Sequence, residues 1–156
     1  MAKEIMDREA SDNEYLHRDF HISMNVGLEF LRENYGNDGV IDYLEKFAEN
    51  YYSPLTTGLK DLGLSVLRDH IKNIYDVEKA DVNIDFTEDE MIVKIEECPA
   101  LKHFNRMNVK PSPMYVHTTK TVYETICKGT PFVFELIEYD EKTGKSIQRF
   151  YRRCCK

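Results

Sequence analysis

The chain changes its hydrophobic period once, and that change limits what it can fold into. Up to Glu78 the apolar residues recur every three or four positions, as on an amphipathic helix; from Val82 they alternate, as on a strand with one buried face. Ser11 followed by Glu14 forms a capping box, and Asp12 and Glu14 place negative charge where a helix dipole favours it, so a helix is expected to start near Asp12. Leu16, Phe20, Met24, Gly27, Leu28 and Leu31 continue it at helical spacing for about six turns, and Tyr35-Gly36 supplies the stop. After a polar break at Asn37-Asp38-Gly39, Val40, Tyr43, Leu44, Phe47 and Tyr51 mark a second helix that ends at Ser53-Pro54. Ser53 as N-cap and Pro54 at the first helical position then predict a short helix to Leu62, and a longer one follows through Val66, Leu67, Ile71 and Ile74 to Glu78.

Beyond that point Val82, Ile84 and Phe86 alternate, Thr87 to Glu90 turn the chain, and Met91, Val93 and Ile95 alternate again, which is a β-hairpin. A second hairpin pairs Phe132 to Tyr139 with Ser146 to Tyr151 across a loop whose Gly144 suits a left-handed position. Between them lie a short helix after Pro99 and a longer one near Lys120 to Cys127, joined by a segment in which Pro111 and Pro113 forbid regular pairing. The expected fold is a single α+β domain over 1–156: a helical N-terminal half of about four helices packed on a C-terminal antiparallel sheet of two hairpins with embedded helices. Residues 1–10 and 153–156 are expected to be flexible.

Charge and patterning narrow the partners. A net charge of −7 disfavours nucleic acid, which demands Lys and Arg against its phosphates. No run of about 18 apolar residues is available for a membrane span, and the N-terminus lacks an apolar leader, so a cytoplasmic protein acting on a small molecule is expected, as a homodimer on base rates. Thiols in such a setting stay reduced, which leaves Cys98 and Cys127 for packing, catalysis or metal binding; Cys154 and Cys155 fall in the basic tail.

Several side chains could carry chemistry. His17 and His21 stand four apart on one helix face and could meet a divalent transition metal such as zinc, although two ligands are too few and the bland reading is a pair of polar or pocket-lining histidines. Cys98 lies where strand gives way to helix: the helix dipole favours its thiolate, and Glu96 and Glu97 oppose it. His103, five residues on, is within reach of it without being forced there; the alternative is a buried Cys acting as a small hydrophobe. Cys127 closes a helix, whose C-terminal dipole raises a thiol pKa, so it is the weaker nucleophile. His70, among Leu67, Ile71 and Ile74, reads as a core-edge histidine bonded to a backbone carbonyl, with ligand contact as its other role. Ten tyrosines and eight phenylalanines without a tryptophan suggest an aromatic core or pocket, in which Tyr15, Tyr51, Tyr52 and Tyr115 could offer hydroxyls to a ligand. Phosphate loops, nucleophile elbows and zincin helices are missing from the sequence.

Scattered short motifs carry a resemblance. Asp7 to Asn13, Tyr15-Leu16-His17, Asp19-Phe20-His21, Tyr35-Gly36, Tyr51-Tyr52-Ser53-Pro54-Leu55, Cys98-Pro99-Ala100 with His103, Thr118-Thr119, Ile126 to Pro131 and Gln148 to Arg153 together resemble small bacterial proteins grouped with L-2-amino-thiazoline-4-carboxylic acid hydrolases. The resemblance implies hydrolytic opening of a cyclic amidine-like C–N bond in a small carboxylate substrate. That reaction needs attack on the amidine carbon, a proton for the leaving nitrogen and an anchor for the carboxylate. On this reading Cys98, or a water activated by His103, attacks; His17 and His21 act as acid, base or metal ligands; Arg18 or Arg106 anchors the carboxylate. The competing class is a non-catalytic small-molecule sensor or carrier, whose aromatic pocket needs no chemistry. The hydrolase expects His17, His21, Cys98 and His103 to converge on one cleft.

Overall fold

The computed structural model describes residues 14–154, with side chains from residue 20 onward. Helix α1, Glu14–Tyr51, is bent at Gly36, whose φ of 72° and ψ of −176° leave helical space. A positive φ there favours glycine, so the stop at Tyr35-Gly36 is real. The break is narrower than the sequence suggests: Asn37, Asp38 and Gly39 are already helical. The Ser11 capping box lies outside the described residues.

Helix α2 spans Ser53–Leu62 and α3 Leu64–Glu78, on either side of Gly63. Pro54 sits in the first turn of α2 as expected, but Ser53 is not its N-cap. The Ser53 hydroxyl donates back to the Asn50 carbonyl at 3.1 Å, because the chain turns at Tyr52 without the extended residue a capping side chain needs. Strands β1, Asn83–Phe86, and β2, Glu90–Ile95, form the first hairpin; β3, Phe132–Tyr139, and β4, Ser146–Arg152, form the second. Between them come α4, Pro99–Met107, a 3-10 turn over Tyr115–Thr118, and α5, Lys120–Cys127. This is an α+β fold with its helices mainly N-terminal and its antiparallel sheet C-terminal.

The hairpins join through β2 and β4 into one four-stranded sheet of order β1-β2-β4-β3. Register decides which residues face inward. Met91 pairs with Phe150, Val93 with Gln148 and Ile95 with Ser146, so these alternate residues share the covered face. On the far side Phe134 pairs with Phe150 and Leu136 with Gln148; the register then slips at Ile137, and Tyr139 pairs with Ser146. Without that bulge the period of two would turn Tyr139 outward. The opposite face is charged: Arg149 reaches Glu90, and Lys94 reaches Asp85.

One buried cluster runs through both halves, from Leu28, Val40 and Leu44 of α1 and Leu67 of α3 to Met91, Val93 and Phe150 of the sheet. Asn25 ties the proline segment to α1: its Oδ1 accepts from the Ser112 N–H at 2.7 Å and its Nδ2 donates to the Lys110 carbonyl at 3.0 Å. These bonds satisfy backbone groups that a segment with Pro111 and Pro113 cannot pair in a sheet. Among the described residues, no helix is long and apolar enough to cross a membrane.

Candidate functional site

The helices do not seal the sheet completely. Between them lies a cavity of about 440 Å³ with the inner face of β4 as its floor. Ile95, Tyr139, Ser146 and Gln148 come from the sheet; His70, Tyr75 and Glu78 from α3; Phe20, His21 and Phe47 from α1; Cys98 and Pro99 from the start of α4; Tyr115, Thr119 and Tyr123 from the 3-10 turn and α5. Each wall follows from a local pattern. His70, Ile74 and Glu78 are four apart and therefore share one face of α3.

Besides the exposed Tyr51, five buried or half-buried tyrosines, Tyr52, Tyr75, Tyr115, Tyr123 and Tyr139, line this space. Burial pushes all five phenols up, so every hydroxyl stays protonated at neutral pH and can donate. Phe104 packs edge-to-face on Tyr115, and Phe150 on Tyr123, fixing both rings from behind.

His21 and Glu78 form the charged element of the site. Their side chains meet at 2.6 Å, His21 Nε2 against Glu78 Oε1, across 57 residues of sequence, and the Glu78 side chain is only 5 % exposed. A carboxylate in that position orients the imidazole.

Cys98 occupies the N-cap position of α4 with extended backbone and closes no capping bond. Its own N–H donates to the Thr143 carbonyl at 2.9 Å, pinning it to the β3–β4 loop. Gly144 of that loop, with φ of 68°, lies so close to Cys98 and Leu101 that a Cβ there would collide with both. Burial pushes the Cys98 thiol up; the Leu101 and Ala100 amides pull it back in part, and Glu78 and Glu97 add to the rise. The uncertain sign left by the sequence is thereby resolved toward the protonated thiol.

The remaining candidates separate. His70 lines the cavity and stands edge-on to Tyr52 with ring centroids 5.7 Å apart; among the described residues no backbone hydrogen bond holds it, and burial pushes its pKa down, which favours the neutral ring. Tyr51 sits at the rim, stacked on Phe47. His103 and Arg106 line a different cavity of about 330 Å³, with Lys79, Glu97 and Lys102, on the other side of Glu78 and Pro99. One turn and a half of α4 carries the His103 ring away from the thiol. Its Nε2 is buried with no hydrogen-bond partner among the described residues. Cys127 ends α5 in the core, 3 % exposed, and burial pushes its thiol up to about 12; it packs. The side chains of Tyr15, His17 and Arg18 lie outside the described residues, as does Cys155.

Among the described residues no group of three or more His, Cys, Asp or Glu side chains is placed to hold a metal ion. Nor does the described lining of the tyrosine cavity contain a Lys or Arg, so Arg106 is not a carboxylate anchor there. Sequence reading passed over Tyr75, Glu78, Tyr123, Tyr139, Ser146 and Gln148, all of which the fold brings to the site. No protein-family model matches the chain, and no curated protein matches it.

Proposed function

We propose that the tyrosine cavity binds a small planar molecule and that Cys98, with the His21–Glu78 pair, hydrolyses a cyclic amidine C–N bond in it. The observation that carries this reading is one cavity lined by both a thiol at a helix N-terminus and an imidazole held by a buried carboxylate. The reaction class comes from the resemblance to thiazoline carboxylate hydrolases.

In the proposed reaction the Cys98 sulfur bonds to the amidine carbon and its proton passes to His21, whose charge Glu78 offsets. The ring C–N bond breaks as its nitrogen takes that proton back and a second one from the exocyclic amino group, which becomes a C=N–H on the same carbon. Water then adds to the same carbon, the C–S bond to Cys98 breaks, and the thiol is restored with a carbamoyl product released. A protonated resting thiol is consistent with a nucleophile that needs a base at the moment of attack. That same protonated thiol also favours the second reading, a binding module that performs no chemistry.

The test is incubation with 2-amino-thiazoline-4-carboxylate, with carbamoyl-cysteine followed by mass spectrometry and intact-protein mass recorded in parallel. Product from wild type and none from Cys98→Ala supports the hydrolase. Equal turnover by the variant removes Cys98 as nucleophile, and no turnover by wild type leaves the binding module.

A further inference from the structure

The floor of the cavity contains a polar pair that the fold has no structural reason to place there. Ser146 and Gln148 are 3 % and 4 % exposed, on a central strand, in rows whose other members are Ile95 and Tyr139 for the first and Val93 and Leu136 for the second. Apolar side chains at both positions would complete this face, as Phe150 does one pair further along. A buried amide without partners opposes folding, and here only one of its ends is satisfied: Gln148 Nε2 donates to Ser146 Oγ at 3.1 Å. The other end makes no hydrogen bond among the described residues, although the side chain lines the cavity. Exchanging the amide's oxygen and nitrogen would leave the same result, with one polar end held by Ser146 and the opposite end presented to the cavity.

We infer that Gln148, oriented by Ser146, is the specificity-determining group of this cavity and selects ligands with an amide-, urea- or amidine-like polar edge. An amide end fixed in an aromatic-lined cavity rewards a ligand that completes its hydrogen bonding and penalises one of the same shape that covers it without doing so, because the second leaves a buried polar group unpaired. The tyrosine rings above supply flat faces and add area without discriminating among rings of similar size. The inference rests on the tyrosine cavity being the ligand site, and it requires no turnover.

The experiment measures binding of two small probes, 2-aminothiazoline and 2-methylthiazoline, by isothermal titration to wild type, Gln148→Met, Gln148→Leu and Ser146→Ala. The probes differ in the polar edge, and comparing each across the same variants cancels their intrinsic difference in affinity. The expected result is that either Gln148 variant weakens the amino probe at least about tenfold and leaves the methyl probe unchanged, with a smaller shift of the same kind in Ser146→Ala. Two Gln148 variants are used so that a folded one, verified by its thermal transition, is in hand. Equal losses for both probes, no loss for either, or failure of both probes to bind wild type would overturn the inference. Selective binding without hydrolysis would retire the thiol chemistry and leave this inference standing; hydrolysis with unselective binding would do the reverse.

Discussion

Two cavities share a wall in this protein, and they are built from opposite materials. Glu78 and Pro99 touch both. On one side lie tyrosines, a thiol and an amide over the inner face of the sheet; on the other lie Lys79, Asp81, Glu97, Lys102 and Arg106 at the surface. The second has the denser charge and the weaker claim to chemistry, because exposed ions neutralise one another in water, as the 2.7 Å Lys102–Glu97 pair does. In the first, Glu78, Ser146 and Gln148 are buried and each is held by a partner, and away from water such groups count for more.

The largest expected effect separates the two sides functionally. His21→Ala should lower turnover of the thiazoline carboxylate by about 10²–10⁴, the usual worth of a positioned acid–base group, while His103→Ala and Arg106→Ala leave it unchanged. Loss of turnover in the second cavity's variants would reverse the assignment. Next comes the floor: Phe150→Ala removes a fully buried ring packed against Phe134 and Tyr123 and should lower stability by ~3–5 kcal/mol in urea unfolding. An intact midpoint would mean that the sheet face is not the shared core. Gly144→Ala combines a left-handed backbone with a collision against Cys98, and a loss of ~1–3 kcal/mol is expected together with altered thiol accessibility.

The thiols provide a pH test. In a Cys154→Ser, Cys155→Ser background, iodoacetamide should reach Cys98 before the core-buried Cys127. Because burial raises the Cys98 pKa above the ordinary 9.0, the thiolate is scarce at neutral pH, and the alkylation rate should still be climbing beyond pH 9. The same sign applies to stability: an unfolded thiol releases its proton first, so the stabilising preference for the neutral form is complete below the unfolded pKa and is lost as pH rises above it. A rate that levels off near neutral pH would show a thiolate held in the fold and sink this account of the site. The smallest effect belongs to the second cavity, where Lys102→Ala removes a surface pair worth below about 1 kcal/mol. A larger loss would mean that this charged surface is a built site after all.

The elements were legible because they are written in local spacing. The stop at Tyr35-Gly36, the Pro54 start, the helix behind Pro99 and both hairpins follow from residues within a turn or two of one another. Cys98 at a strand-to-helix junction was visible for the same reason, and so was the place of Cys127 at a helix end; that burial is what raises its thiol was not. The Ser53 cap failed because hydroxyls at a turn have competing acceptors, here Asn50. The proximity of Cys98 and His103 in sequence misled: a spacing of five on a helix points two side chains in different directions.

What the sequence by itself determined is the α+β layout, the positions of its turns and the aromatic richness of whatever space the two halves enclose. Tertiary structure alone decided which residues meet there. Glu78 reaches His21 across 57 residues, a contact no window of periodicity can contain. Strand β4 reads as mixed on both faces, since Ser146, Gln148 and Phe150 alternate with Ile147, Arg149 and Tyr151. Only its pairing with β2 and β3 turned the first set inward, and only the slip at Ile137 brought Tyr139 beside it. A strand's period states that two faces exist; register, a property of its neighbours, chooses which one is buried.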